Sequence, residues 1–137
     1  MDKLRLLALE DNQSIADMVC HTATDMGFET QSADGATAVD VYNKFKPHII
    51  VLDILMPEMD GLEFLGYLEK YRSKAHIIIL SGTSESYRTI AENWGEAGGL
   101  TIVANLPKPF RIAEMRALFS QIRSNLDSGS EPQSGLA

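Results

Sequence analysis

Five side chains able to take part in metal or phosphoryl chemistry stand at the ends of four apolar runs. Glu10 and Asp11 follow "LRLLAL", Asp53 closes "IIVLD", Ser81 closes "HIIILS", and Lys108 sits between two prolines in "LPKPF". Carboxylates brought together repel. Two like charges ~4 Å apart cost ~4 kcal/mol at an effective dielectric of ~20. Such a group calls for a cation, or for one acid to keep its proton. Carboxylate and carbonyl oxygens suit Mg²⁺, which also retains several waters. An aspartate carboxylate is in addition a competent phosphoryl acceptor, forming an acyl phosphate. That transfer needs in-line positioning and neutralisation of spread negative charge. Mg²⁺, the Lys108 ammonium, the Ser81 hydroxyl and nearby backbone N–H groups would supply both.

The elements that must bring these residues together alternate along the chain. Strand-like runs cover 4–10, 28–33, 49–53, 76–81 and 100–106. Between and after them, helical periodicity covers 12–26, 35–45, 61–72, 84–97 and 111–126. Gly27 and Pro47 are placed to end the first two helices. Asp60 and Glu63 form a D-x-x-E capping pattern for the third. The stripe Ile112, Met115, Phe119, Ile122 and Leu126 marks the core face of the last helix, which could also pair with a partner. Five βα units with crossover helices predict a doubly wound five-stranded parallel sheet, flavodoxin-like, in the order 2-1-3-4-5. The all-apolar third and fourth runs fit strands covered on both faces. Ligands in such folds bind outside the carboxyl ends of the strands, so Asp53 belongs at the mouth of a site and not within the core. Residues 1–126 form the domain, and the Ser/Gly/Pro-rich 127–137 is a flexible tail or linker.

Composition narrows the function. The 137 residues fit one domain with one core. A net charge of −7 with no Lys/Arg cluster argues against direct nucleic-acid binding. No apolar run approaches the ~20 residues of a membrane helix, and the apolar run within "MDKLRLLALED" is shorter than a secretory signal's and ends in two acids. The expected location is therefore cytoplasmic, consistent with the single cysteine, Cys20, read as a small helix filler. His21, His48 and His76 lack metal-ligand spacing and are expected at the surface. Trp94 falls on the apolar stripe of its helix and reads as core. Taken singly, Glu10–Asp11 would be an acidic pair at a helix start and Ser81 a helix cap. Beside Asp53 and Lys108, the metal and phosphoryl roles are favoured.

The motifs "LALEDN", "VLDILMPEMDG", "IIILSGT" and "LPKPF", in this order and at these intervals, resemble the receiver domain of bacterial two-component response regulators over about residues 4–125. The resemblance implies that Asp53 is the phosphoacceptor and that Asp11 binds Mg²⁺ directly. Glu10 would act mainly through water, and the Leu55 carbonyl would complete the protein ligands. Ser81 and Lys108 would contact the phosphoryl group, with a cis Lys108–Pro109 bond. The implied partners are a histidine kinase or histidine phosphotransfer protein and a downstream effector protein or fused domain; a homodimer is a further expectation. Asn105 departs from the pattern, which has Tyr or Phe three residues before the lysine. The segment from Gly98 to Lys108 is also longer than in common chemotaxis-type receivers. In this respect "GGLTIVANLPKPF" is similar, more weakly, to receivers attached to cyclic-di-GMP phosphodiesterase domains.

Two other classes compete for the same residues. A phosphatase or dehalogenase with an Asp nucleophile would place a second Asp two residues later, where this chain has Leu55. A flavodoxin-like cofactor binder would want a Ser/Thr/Gly-rich phosphate loop after the first strand, where this chain has acidic "EDNQS". The chain reads as a phosphoacceptor switch that catalyses only its own transfer. Leu55 and Thr83 offer no acid or amide to orient water, so dephosphorylation is expected to be slow. A stand-alone regulator and a receiver cut from a longer protein both remain open.

Overall fold

A computed structural model describes residues 3–54, 61–81, 93 and 98–127, with only the backbone of 61, 62 and 81. The five strands are β1 (Arg5–Leu9), β2 (Glu29–Ala33), β3 (Ile49–Asp53), β4 (His76–Ser81) and β5 (Thr101–Pro107). The described helices are α1 (Gln13–Asp25), α2 (Ala38–Phe45), α3 (Gly61–Lys70) and α4 (Ile112–Asp127). The strands form one parallel sheet in the order β2-β1-β3-β4-β5, as the alternation predicts. The helix expected at 84–97 and the capping residue Asp60 lie outside the described residues, apart from Asn93.

Successive strand side chains point to opposite faces, and both faces are buried. Leu7 and Leu9 of β1, Ile50 and Leu52 of β3, and Ile77 and Ile79 of β4 face α2 and α3, meeting Phe45, Phe64, Leu65 and Leu68. The alternate residues Leu6, Ala8, Ile49, Val51, Ile78 and Leu80 face α1 and α4, meeting Val19, Ala23, Met115, Phe119 and Ile122. Phe28 packs edge-on against Phe119, centroids 5.8 Å apart. This is why β3 and β4 read as unbroken apolar runs.

Local chemistry sets the helix ends. Asn12, read from sequence as the first helical residue, is instead the cap of α1, its side chain accepting from Ile15 N at 3.1 Å. Gly27 follows the last turn at φ 96°, a left-handed conformation glycine adopts without steric cost. α2 stops at Phe45, one residue before a left-handed Lys46 at φ 53°.

Three sequence expectations fail. His76 is buried, because the first position of central β4 lies between β3 and β5. His48 is half-buried, and its Nδ1 accepts from Arg5 N at 3.0 Å. Ile112, the first residue of α4, is exposed although it continues the helix's apolar stripe. Cys20 is half-buried against the α1–α4 core; burial, offset in part by a hydrogen bond from Thr30, holds its thiol above the ordinary range. It is a packing residue, as expected.

β5 carries an irregularity that no hydrophobic pattern announced. Ile102 pairs with Ile77 but Ala104 pairs with Ile78, so Val103 is an extra residue bulged out of the ladder. The added length noted between Gly98 and Lys108 has a place here: β5 spends one residue more than β4 over the same span.

Candidate functional site

Four of the six expected residues meet at the carboxyl edge of the sheet. Glu10 and Asp11 follow β1, Asp53 ends β3, and Lys108 follows β5. β1 and β3 are neighbours, which places their following residues together without any long loop. One oxygen from each of Glu10, Asp11 and Asp53 lies within 4.8 Å of the others. Glu10 and Asp53 are buried and Asp11 is exposed. Asp53 is thus more enclosed than a position at the mouth of a site suggests, though it does end its strand.

The Lys108 ammonium lies 2.9 Å from Glu10 Oε1 and 3.4 Å from Asp53 Oδ2. The approach to Oε1 falls outside hydrogen-bonding angles, so that oxygen has a charge partner but no directed bond. Burial by itself would lower the Lys108 pKa. The close contact with Glu10 and the charges of Asp53 and Glu10 outweigh it and raise the ammonium above the ordinary lysine range. Lys108 is therefore a fixed cation at this site. The bond to Pro109 is cis.

Glu10 is held in place by its own turn. Its backbone N–H donates to Ala33 O at 3.1 Å, and its Oε2 accepts from Asn12 N at 3.1 Å. Asn12 thus serves twice, capping α1 and orienting the acid two residues before it. Sequence reasoning missed the second role, although an Asx residue directly before a helical run is the signal for the first. Glu10 also contacts Lys108 directly.

Ser81 ends β4, in register with Pro107, which brings its backbone to the same edge; its side chain is outside the described residues. Leu55 is outside them altogether. The residue before it, Ile54, donates its N–H to Leu80 O at 3.2 Å, extending the β3–β4 ladder past Asp53. Asn105 pairs with Ile79, on the face covered by α2 and α3, and its Oδ1 is buried without a hydrogen-bond partner among the described residues.

The chemistry of the donor set fits a hard divalent cation. Three carboxylates share one small space, one of their oxygens is without a directed hydrogen bond, and a single ammonium offsets part of the charge.

The response regulator receiver domain family matches residues 6–120. Response regulator MprA of Mycobacterium avium is 28% identical over 134 residues, covering 93% of this chain and 56% of that protein. This chain thus spans about half the length of such relatives. The chemotaxis protein CheY of Listeria monocytogenes is 36% identical over 84 residues, covering 60% of this chain and 71% of that protein. Among solved structures, chemotaxis protein CheY4 of Vibrio cholerae superposes with a TM-score of 0.72 at 29% identity, covering 90% of this chain and 98% of that one. The N-terminal domain of an uncharacterized Wolinella succinogenes protein reaches 0.81 at 22% identity, over 93% and 99% of the two chains, a likeness of fold alone. With the sheet order, the acidic cluster and the family match in agreement, the chain belongs to the response regulator receiver domain family.

Proposed function

We propose that this receiver domain is a phosphorylation-driven switch in a two-component phosphorelay, with Asp53 as the phosphoacceptor and Mg²⁺ as the cofactor. The observation that carries this reading is the meeting of Glu10, Asp11 and Asp53 with the Lys108 ammonium at the carboxyl edge. Glu10, Asp11, Asp53 and the Leu55 carbonyl would hold the ion. When bound, Mg²⁺ supplies neutralisation of the charge gathered at the acceptor.

The chain's own residues do the rest. An Asp53 carboxylate oxygen forms a bond to phosphorus as the P–N bond of a phosphohistidine donor breaks. Glu10, fixed by Asn12 N–H, keeps Lys108 beside Asp53 until the phosphoryl oxygens arrive. Lys108 then pairs with those oxygens, and the Ser81 hydroxyl hydrogen-bonds them. The domain acts on no other substrate, and its own dephosphorylation is slow.

The donor is a histidine kinase or histidine phosphotransfer protein. The output passes to a downstream effector protein or fused domain, or through a homodimer, without direct contact to nucleic acid. Residues 1–126 are the receiver and 127–137 the tail or linker, in a cytoplasmic protein. Among the described residues no helix is long and apolar enough to cross a membrane.

Incubation with acetyl phosphate, with and without Mg²⁺, tests the reading by intact mass. A single phosphoryl adduct should appear only with Mg²⁺ and be absent in Asp53→Asn. An adduct formed equally in EDTA would remove the metal role of Asp11, and one retained in Asp53→Asn would remove the acceptor assignment.

A further inference from the structure

A second concavity lies at the opposite edge of the same sheet. A cleft of about 410 Å³ opens between the end of α2, the turn joining α3 to β4, and Leu126 of α4. His48, on its wall, precedes β3, whereas Asp53 ends that strand. Five residues of β-strand rise separate the two sites by roughly 17 Å.

The lining is electropositive in an acidic chain. Among the described residues two lysines, Lys46 and Lys74, line the cleft and no carboxylate does, although the chain has 19 Asp and Glu against 12 Lys and Arg. Lys46 occupies a left-handed turn at φ 53°, a conformation that favours glycine and costs a residue with a side chain.

The hydroxyl groups are arranged as donors. Ser73 Oγ accepts from Tyr42 Oη at 2.7 Å and from Ala75 N at 3.3 Å. With both lone pairs engaged, its remaining capacity is to donate its own proton. Pro47, Ala75 and Leu126 give the cleft an apolar wall. Its volume sits at the low end of the ~300–1,000 Å³ typical of small-molecule sites.

We propose that this cleft binds a small organic phosphate, its phosphate held by Lys46, Lys74 and the Ser73 hydroxyl and its organic part against Pro47, Ala75 and Leu126. Two ammonium groups and a hydroxyl proton suit a compact anion of high charge density. The apolar wall distinguishes an organic phosphate from the bare ion. The site is independent of Asp53 chemistry and stands whether or not the acidic site accepts a phosphoryl group.

Amide NMR of the full chain titrated with adenosine monophosphate tests this, with adenosine and inorganic phosphate as separate arms. Saturable shifts are expected at Lys46, Ser73 and Lys74 with the nucleotide, none with adenosine, and weaker binding of inorganic phosphate. Lys46→Gly and Lys74→Ala should each weaken binding about tenfold, the loss of one charge-assisted contact. Lys46→Gly suits the left-handed turn, so its unfolding temperature should not fall, which separates lost binding from lost fold. An absence of shifts at millimolar nucleotide, equal shifts with adenosine, or unchanged affinity in both variants would overturn the proposal. So would equal affinity for nucleotide and inorganic phosphate, because the apolar wall would then contribute nothing.

Discussion

Lys108 Nζ sits 2.9 Å from Glu10 Oε1, so the loop after β5 is tied to the loop after β1 across two intervening strands. The lysine is a built-in counterion to a buried acid. Its removal leaves Glu10 and Asp53 without that counterion. Lys108→Met should lower stability in EDTA by about 1–3 kcal/mol, less than a fully buried pair because Lys108 is partly exposed. Chemical denaturation of both proteins in EDTA measures it, and equal midpoints would mean the pair contributes nothing.

The same pair sets a pH dependence. The folded-state pKa of Lys108 is raised above the ordinary value of 10.5, by Glu10 and Asp53 acting against burial. A raised lysine contributes stability that is fully present below 10.5 and is lost as pH climbs through the folded value. The stability gap between wild type and Lys108→Met in EDTA should therefore be flat at about pH 8–9 and narrow above the ordinary lysine pKa. A gap that widens with rising pH would contradict the sign of the shift.

Mg²⁺ should raise the unfolding temperature. An ion that binds only the native state at a hundredfold excess over its Kd adds ~2.7 kcal/mol. Asp53→Ala should shrink the gain by removing one of three carboxylates. Thermal scans in EDTA and in millimolar Mg²⁺ decide it; indifference to Mg²⁺ would mean the three acids do not hold a cation.

The lifetime of the phosphorylated state rests on residue type. Leu55, two residues after the proposed acceptor Asp53, has no group to orient an attacking water. Leu55→Asn should shorten the lifetime severalfold, followed by intact mass after removal of acetyl phosphate. A longer lifetime in Leu55→Asn would reject the assignment.

The bulge at Val103 gives a topological test. Deleting Val103 leaves every recorded partner on β4 in place, from Ile77–Ile102 to Ser81–Pro107. Phosphorylation should survive. Deleting Leu106, beyond the bulge, pulls Lys108 back by roughly 3.3 Å and swaps the faces of the flanking residues. Acceptance of a phosphoryl group should then fall sharply. Equal behaviour of the two deletions would show that β5 register does not position Lys108.

Much of this was legible in the chain. The unbroken apolar runs at 49–53 and 76–81 announce strands covered on both faces, and their strand bounds match the sequence expectation. That pattern carries the sheet order, and the sheet order carries Glu10, Asp11, Asp53 and Lys108 to one edge. What stayed hidden depends on neighbours and not on periodicity. His76 is polar by type but central by strand order. Ile112 keeps the helical period yet is exposed at the first residue of its helix. The Val103 bulge is a relation between two strands, and neither strand contains it alone.

That bulge also bears on how copies of the chain meet. β5 and β2 are the two edges of the sheet, and an open edge invites an added strand from another molecule. β5 is bent by its extra residue and ends in Pro107, which has no N–H to offer an incoming strand. β2 is the short run Glu29–Ala33, largely exposed and polar, with a charged residue at its start. Neither border is a flat apolar template, so strand-by-strand growth into fibres is disfavoured at both, and self-association is left to the helical faces.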